Sequence, residues 1–304
     1  MKIGYAHLFI GLLLAFCLPE YAAASGDNSS SGRPSVNKVK QGSSAMSAEL
    51  GGEMVLGSTS ALVLDQMSGK AILEKNASVA VPIASITKLM TAMVVLDAHL
   101  DMDGIIQLTK EDVDTLRGSR SRLPVGLTMT RDTALLLALM SSENRAANAL
   151  GRNYPGGMAA FVAAMNRKAY DLGLRHTRFV EPTGLSAHNV STAHDLARLV
   201  MVAHQYPQIR EYSTMASVDL DIGGRVLTFN NSNTLVKNST WQIGLSKTGY
   251  ISNAGYCLVM QAWVADKPLI MILLDSSGKM TRVGDAARIR RWLESNLLPR
   301  PVGA

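Results

Sequence analysis

A serine hydroxyl becomes a strong nucleophile only when a nearby base takes its proton. Ser85-Ile86-Thr87-Lys88 offers such a pair. Residues three apart on a helix share a face, so Lys88 can reach the Ser85 hydroxyl within one turn. A lysine withdrawn from water and set near other cations has a lowered pKa and can serve as the base. A helix start at Ser85 would add partial positive charge, favouring the negative charge that develops on a bound carbonyl. The same Ser-x-x-Lys spacing recurs at Ser35/Lys38 and at Ser276/Lys279, so alone it has little specificity. Two further elements change that. Ser142-Glu143-Asn144 stands at an expected helix start, where the serine could equally be an ordinary N-cap. Lys247-Thr248-Gly249 ends an expected strand and occurs once. The order is Ser85, then Ser142 after 57 residues, then Lys247 after another 105.

Bringing these residues together requires two kinds of element. Ser60–Asp65 and Ala71–Leu73 read as strands around a turn at Met67–Lys70. Apolar positions at Leu89, Met90, Met93, Val94 and Leu96 predict a helix from about Ser85 to Leu100. From about Leu108 to Tyr206 nearly everything has a helical pattern. Thr130 and Ser142 are expected caps, Gly156-Gly157 opens a further helix, and Ser191 or Thr192 starts another. Strands return at Val218–Ile222 and Arg225–Phe229 around Gly223-Gly224, then at Trp241–Ser246, Tyr256–Val264 and Leu269–Leu274. A last helix runs from about Thr281 to Leu297. Early and late strands around a helical block predict an α/β (α+β) fold: one antiparallel sheet with an inserted helical lobe over about residues 108–210, and a cleft between them.

Four segments carry a resemblance that covers the chain from about Ser60 to Leu297. They are PIASITKLMTAM from Pro82, LMSSENRAA from Leu139, FVEPTGLS from Phe179 and KTGY from Lys247. They resemble the low-molecular-mass D-alanyl-D-alanine peptidases among the active-site-serine, penicillin-recognising enzymes. The resemblance implies a β-lactamase/transpeptidase-like fold with a five-stranded sheet. It implies that Ser85 attacks a D-alanyl carbonyl to form an acyl-enzyme, that Lys88 accepts the proton, and that Ser142 relays one to the leaving amine. Asn144 would hydrogen-bond the substrate backbone, and Lys247 with Thr248 would hold a substrate carboxylate. Gly249 would let the strand approach closely, and the amides of Ser85 and Tyr250 would form the oxyanion hole. The implied substrate is the D-alanyl–diaminopimelate crosslink of peptidoglycan, with carboxypeptidase cleavage of a terminal D-alanine as the alternative. β-Lactams would be covalent inhibitors, and other wall hydrolases are implied associates. No cofactor and no metal is expected.

Competing chemistries lack their residues. Class A β-lactamases need a second carboxylate for deacylation. Glu181 follows Arg178 with one residue too many between them, and Leu185 stands where an Asn is expected, so Glu181 reads as structural. Among His99, His176, His188, His194 and His204 no H-E-x-x-H or other tight ligand spacing occurs, which argues against a zinc peptidase. A penicillin sensor without turnover is compatible with the motifs. The net charge of +6 and pI near 9.3 come without a Lys/Arg cluster, so nucleic acid is not an expected partner.

Lys2, the apolar run Leu8–Leu18 and Ala22-Ala23-Ala24 form the three-part layout of a cleavable signal peptide over residues 1–24, which places the enzyme in the periplasm. Cys17 leaves with it, so Cys257 is expected to be a lone buried thiol. Residues 25–52 are rich in Ser, Gly and Asn and read as a disordered leader, leaving 53–304 as the peptidase domain. Only 55 residues follow Gly249. That is too few for the extra β-domain and amphipathic anchor of the family's membrane-bound carboxypeptidases, so a soluble endopeptidase without a stable membrane anchor is expected.

Overall fold

The computed structural model describes residues 54–297. The expected signal peptide and leader lie outside the described residues. Short, near-continuous apolar runs build a central antiparallel sheet from strands β1 (Ser58–Asp65), β2 (Ala71–Lys75) and three later strands. Two short pairs separate these in sequence: β3 (Val81–Pro82) with β6 (Val190–Ser191), and β4 (Ile105–Gln107) with β5 (Thr128–Thr130). A hairpin follows, β7 (Ser217–Asp221) with β8 (Val226–Asn230). Then come β9 (Gln242–Ile251), β10 (Gly255–Val264) and β11 (Lys267–Ser276). The sheet order is β2-β1-β11-β10-β9, which leaves β9 at one edge. This is the expected five-stranded antiparallel sheet split in sequence.

The sheet is buried on both faces, and its period of two sorts the side chains into two cores. Leu62, Leu64, Val259, Ile270 and Ile272 face one cluster, and Ala61, Val63, Leu258, Met260 and Met271 face the other. The second face is covered by α7 (Lys279–Leu297) through Ala286, Ile289 and Leu293. The first packs against α5 (Ala193–Ala203), which in turn packs on α1 (Thr87–Asp97); Leu89, Met93, Leu196 and Val200 of these helices are fully buried. The helical lobe adds α2 (Arg131–Met140), α3 (Asn144–Arg152), α4 (Gly157–Asp171) and α6 (Pro207–Thr214). Thr130 caps α2 by accepting from the Thr133 amide at 3.1 Å, and Thr192 caps α5 through the Asp195 amide at 3.1 Å.

The stretch from Leu108 to Tyr206 is less helical than its composition implies. Residues 113–127 form an irregular loop, held by Asp114, whose carboxylate accepts from the amides of Leu116, Arg117 and Ser119 at 2.9, 3.0 and 2.8 Å. Residues 172–189 form a second irregular loop, organised around Glu181. Short polar side chains that bond to nearby amides compete with helix formation, and here they win.

Candidate active site

The site sits where the start of α1, the α2–α3 junction and the edge strand β9 meet. Ser85 does not open the long helix as expected. It lies in a 3-10 turn, Ala84–Ile86, that leads into α1, and Ala84 before it has φ of 48°. Ser142 is not a helix cap either. Glu143 holds that position, and Ser142 takes a left-handed backbone with φ of 65°. Such a conformation costs a non-glycine residue on the order of 1–3 kcal/mol and marks a position held for its side chain. The Lys-Thr-Gly segment likewise does not end a strand. β9 runs through it to Ile251, pairing Lys247, Thr248 and Gly249 with Val259, Leu258 and Cys257.

These elements bring two lysines into contact with two serines. Lys88 is fully buried, and its Nζ lies 2.8 Å from Ser85 Oγ, 2.7 Å from Asn144 Oδ1 and 2.7 Å from the Thr183 carbonyl. Burial pushes the Lys88 ammonium down to about 7, against the opposing pull of Glu181 and Glu143. The partners fit the neutral amine well. Its two N–H groups satisfy Asn144 Oδ1 and the Thr183 carbonyl, which can only accept. The remaining lone pair faces Ser85 Oγ, the one partner that can also donate.

Lys247 forms the second pair. It is 1% exposed, and its Nζ donates to Ser142 Oγ at 2.9 Å and to the Thr248 carbonyl at 3.2 Å. Burial holds it well below the ordinary lysine value, helped by the charges of Lys88 and Arg282. Thr248 Oγ1 donates to Ser232 Oγ at 2.8 Å. Gly249 is where β9 meets the serine turn. A methyl group there would come within 2.9 Å of the Ser85 amide nitrogen and 3.1 Å of the Ile83 carbonyl. Tyr250, half exposed, stacks on Tyr256 with ring centroids 4.2 Å apart. Asn144 closes the first pair rather than standing free: its Nδ2 donates to Ser119 Oγ at 2.9 Å.

Several participants carry no signal in the sequence. Ser119, Ser232 and Thr183 are ordinary loop residues until the fold places them. Arg282, on α7, donates to the carbonyls of Gly249 at 3.0 Å and Cys257 at 2.7 Å, pinning β9 from behind. Glu181 is absorbed by its own loop, accepting from the amides of Thr183, Gly184 and Ser186 and from Asn189 Nδ2. Gly184, with φ of 84°, lies so close that a methyl group would fall 2.0 Å from the Ala84 carbonyl oxygen. Pro182-Thr183-Gly184 therefore braces the turn that carries Ser85. A cleft of about 320 Å³ opens over Ser85, Asn144 and Tyr250.

A buried lysine amine against a serine hydroxyl, beside a second lysine–serine pair at a sheet edge, defines an active-site-serine hydrolase. The chain belongs to the D-alanyl-D-alanine carboxypeptidase family of serine peptidases, whose model matches residues 47–278. It is 51% identical over 242 residues to a D-alanyl-D-alanine endopeptidase of Pseudomonas aeruginosa, covering 79% of this chain and 78% of that one. An Escherichia coli protein of the same name is 45% identical, covering 82% and 81%. A D-alanyl-D-alanine carboxypeptidase of Bacillus subtilis is 30% identical, with 80% of this chain and 64% of that one covered. Among solved structures, a Streptomyces DD-transpeptidase superposes with a TM-score of 0.73 at 26% identity, covering 79% and 98%. Penicillin-binding protein D2 of Listeria monocytogenes, in a cefotaxime-bound form, gives 0.70 at 28%, covering 80% and 99%.

Proposed function

We propose that this chain is an exported serine D-alanyl-D-alanine endopeptidase that cleaves the D-alanyl–diaminopimelate crosslinks of peptidoglycan. The observation that carries the reading is Lys88: a buried amine 2.8 Å from Ser85 Oγ whose other two partners are obligate acceptors. As the substrate binds, Ser85 passes its proton to Lys88 Nζ and attacks the D-alanyl carbonyl. The carbonyl oxygen gathers charge between the amides of Ser85 and Tyr250, a type of contact worth ~3–4 kcal/mol. Ser142, held by Lys247, relays to the leaving amine the proton that Lys88 took from Ser85, so that Lys88 is a free amine again and Ser142 keeps its hydroxyl. Lys247 and Thr248 take the carboxylate beside that amine, and Gly249 keeps the strand close. Asn144 Nδ2 exchanges Ser119 for a substrate carbonyl. Water then releases the acyl group from Ser85. A β-lactam follows the first half of this path and remains as a covalent adduct.

The identity to two named endopeptidases, at 51% and 45%, favours crosslink cleavage over carboxypeptidase action, for which the same residues would serve. The apolar N-terminal run supports export to the periplasm, where the crosslinks and other wall hydrolases are found. The test is labelling with fluorescent penicillin. Wild type should carry one stoichiometric label at Ser85 and Ser85→Ala none, whereas a labelled Ser85→Ala protein would end the assignment.

A further inference from the structure

Besides the two buried lysines, a further cationic side chain stands at the mouth of the cleft, outside the three motifs. Arg117 lies on the irregular 113–127 loop and lines the cleft with Leu185 and Ser252. Its Nε donates to the Leu185 carbonyl at 2.6 Å, its Nη1 to Ser252 Oγ at 3.1 Å and its Nη2 to Asn253 Oδ1 at 2.7 Å. One guanidinium thus ties together three chain segments around the opening. All three partners are neutral, and among the described residues no carboxylate pairs with it. A guanidinium has five N–H groups, so one remains on each terminal nitrogen. The backbone beneath is fixed, because Asp114 accepts from the Leu116, Arg117 and Ser119 amides. The charge is exposed, pre-positioned and without a counter-ion at the edge of a cleft whose lining includes no acidic residue. That is a carboxylate site of the kind arginine suits.

Its position says which carboxylate. Lys247 and Ser252 are five positions apart along β9 and its end, roughly 17 Å at ~3.4 Å per residue. A single carboxylate cannot reach both. The Lys247–Thr248 end is the leaving-group side in the mechanism above, so the Arg117 end is the acyl side. We propose that Arg117 is a specificity-determining residue that anchors a second carboxylate of the wall peptide, the one on the side chain of the diamino acid preceding the acyl D-alanine. This rests on the endopeptidase reading. It explains why an exposed arginine is immobilised by three neutral acceptors instead of being left to solvent.

The experiment compares two crosslinked peptide dimers. One has diaminopimelate before the acyl D-alanine; the other has lysine there, which keeps the side-chain amine and removes only the carboxylate. Wild type should cleave the lysine dimer with kcat/KM about tenfold lower, a difference of ~1.4 kcal/mol. Arg117→Ala should cleave both dimers with similar kcat/KM, at the lower level, and Arg117→Lys should retain part of the preference. A wild type that treats the dimers alike overturns the inference. So does an Arg117→Ala variant that slows on both yet keeps the preference, because Arg117 would then be only a tie between loops. Failure of wild type to cleave either dimer, with penicillin still labelling Ser85, would instead remove the endopeptidase reading and this inference with it.

Discussion

Lys88 can be tested through the pH dependence of acylation. With the ammonium lowered from 10.5 to about 7, about half of the enzyme carries the free amine at pH 7, about a tenth at pH 6 and about a hundredth at pH 5. At the ordinary value only about 1 molecule in 3,000 would be active at pH 7. The second-order rate of fluorescent penicillin labelling should therefore climb about tenfold per pH unit and level off above about 7. Glu143→Gln removes an anion that favours the charged form, so the midpoint should move to lower pH. Lys88→Arg replaces the base with a group that stays protonated, and acylation should fall ~10²–10⁴-fold on the plateau above about pH 7. Stability carries the same signature. The unfolded chain holds the Lys88 proton between about pH 7 and 10.5 while the folded one does not, so the fold gains stability as pH rises through that window. The full displacement corresponds to a cost on the order of 5 kcal/mol below pH 7. A labelling rate that is flat from pH 5 to 9, or that keeps rising past pH 9, would refute the assignment of Lys88 as the base.

Other substitutions probe the frame. Gly249→Ala places a methyl 2.9 Å from the Ser85 amide, so acylation should drop ~10²-fold, as on losing an oxyanion donor, and the melting temperature should fall as well because the clash is with backbone. Gly184→Ala meets both a positive φ and the Ala84 carbonyl at 2.0 Å; it should lower thermal stability by more than ~1 kcal/mol and slow penicillin labelling as well. Asp285→Asn weakens a buried carboxylate that accepts from the Gly57 and Ser58 amides and the Ser58 hydroxyl and pairs with Arg288, at a cost of ~1–3 kcal/mol in chemical denaturation. Although burial raises its pKa, the bonds from Ser58, Gly57 and Arg288 leave it below 3.8. Its contribution should be complete above that pH and disappear as the pH falls through the lower folded-state value.

The strands, the final helix and the three motifs were legible because they follow strong local rules. Near-continuous apolar runs mark β10 and β11, and side-chain capping marks the starts of α2 and α5. The structure departs from the sequence pattern where tertiary contacts override such rules. Ser142 has the residue type of an N-cap, yet the Lys247 contact holds it in a left-handed turn before the helix begins. Lys247-Thr248-Gly249 looks like a strand end because glycine weakens strands, but the edge position and the approach of Ser85 demand a glycine there. The 113–127 loop reads as helix in the sequence because no local pattern announces an irregular segment held by Asp114, Arg117 and Ser121. Ser119, Ser232 and Arg282 reach the site only through contacts distant in sequence. Glu181 read as structural from spacing alone, and its five hydrogen bonds within residues 181–189 supply the physical reason.

Digestion of a purified crosslinked muropeptide dimer, with the products read by mass, tests the central claim most directly. Wild-type protein should convert the dimer into two monomers, and Ser85→Ala should leave it intact. A dimer that survives wild-type digestion and loses only a terminal alanine would show a carboxypeptidase and contradict the account.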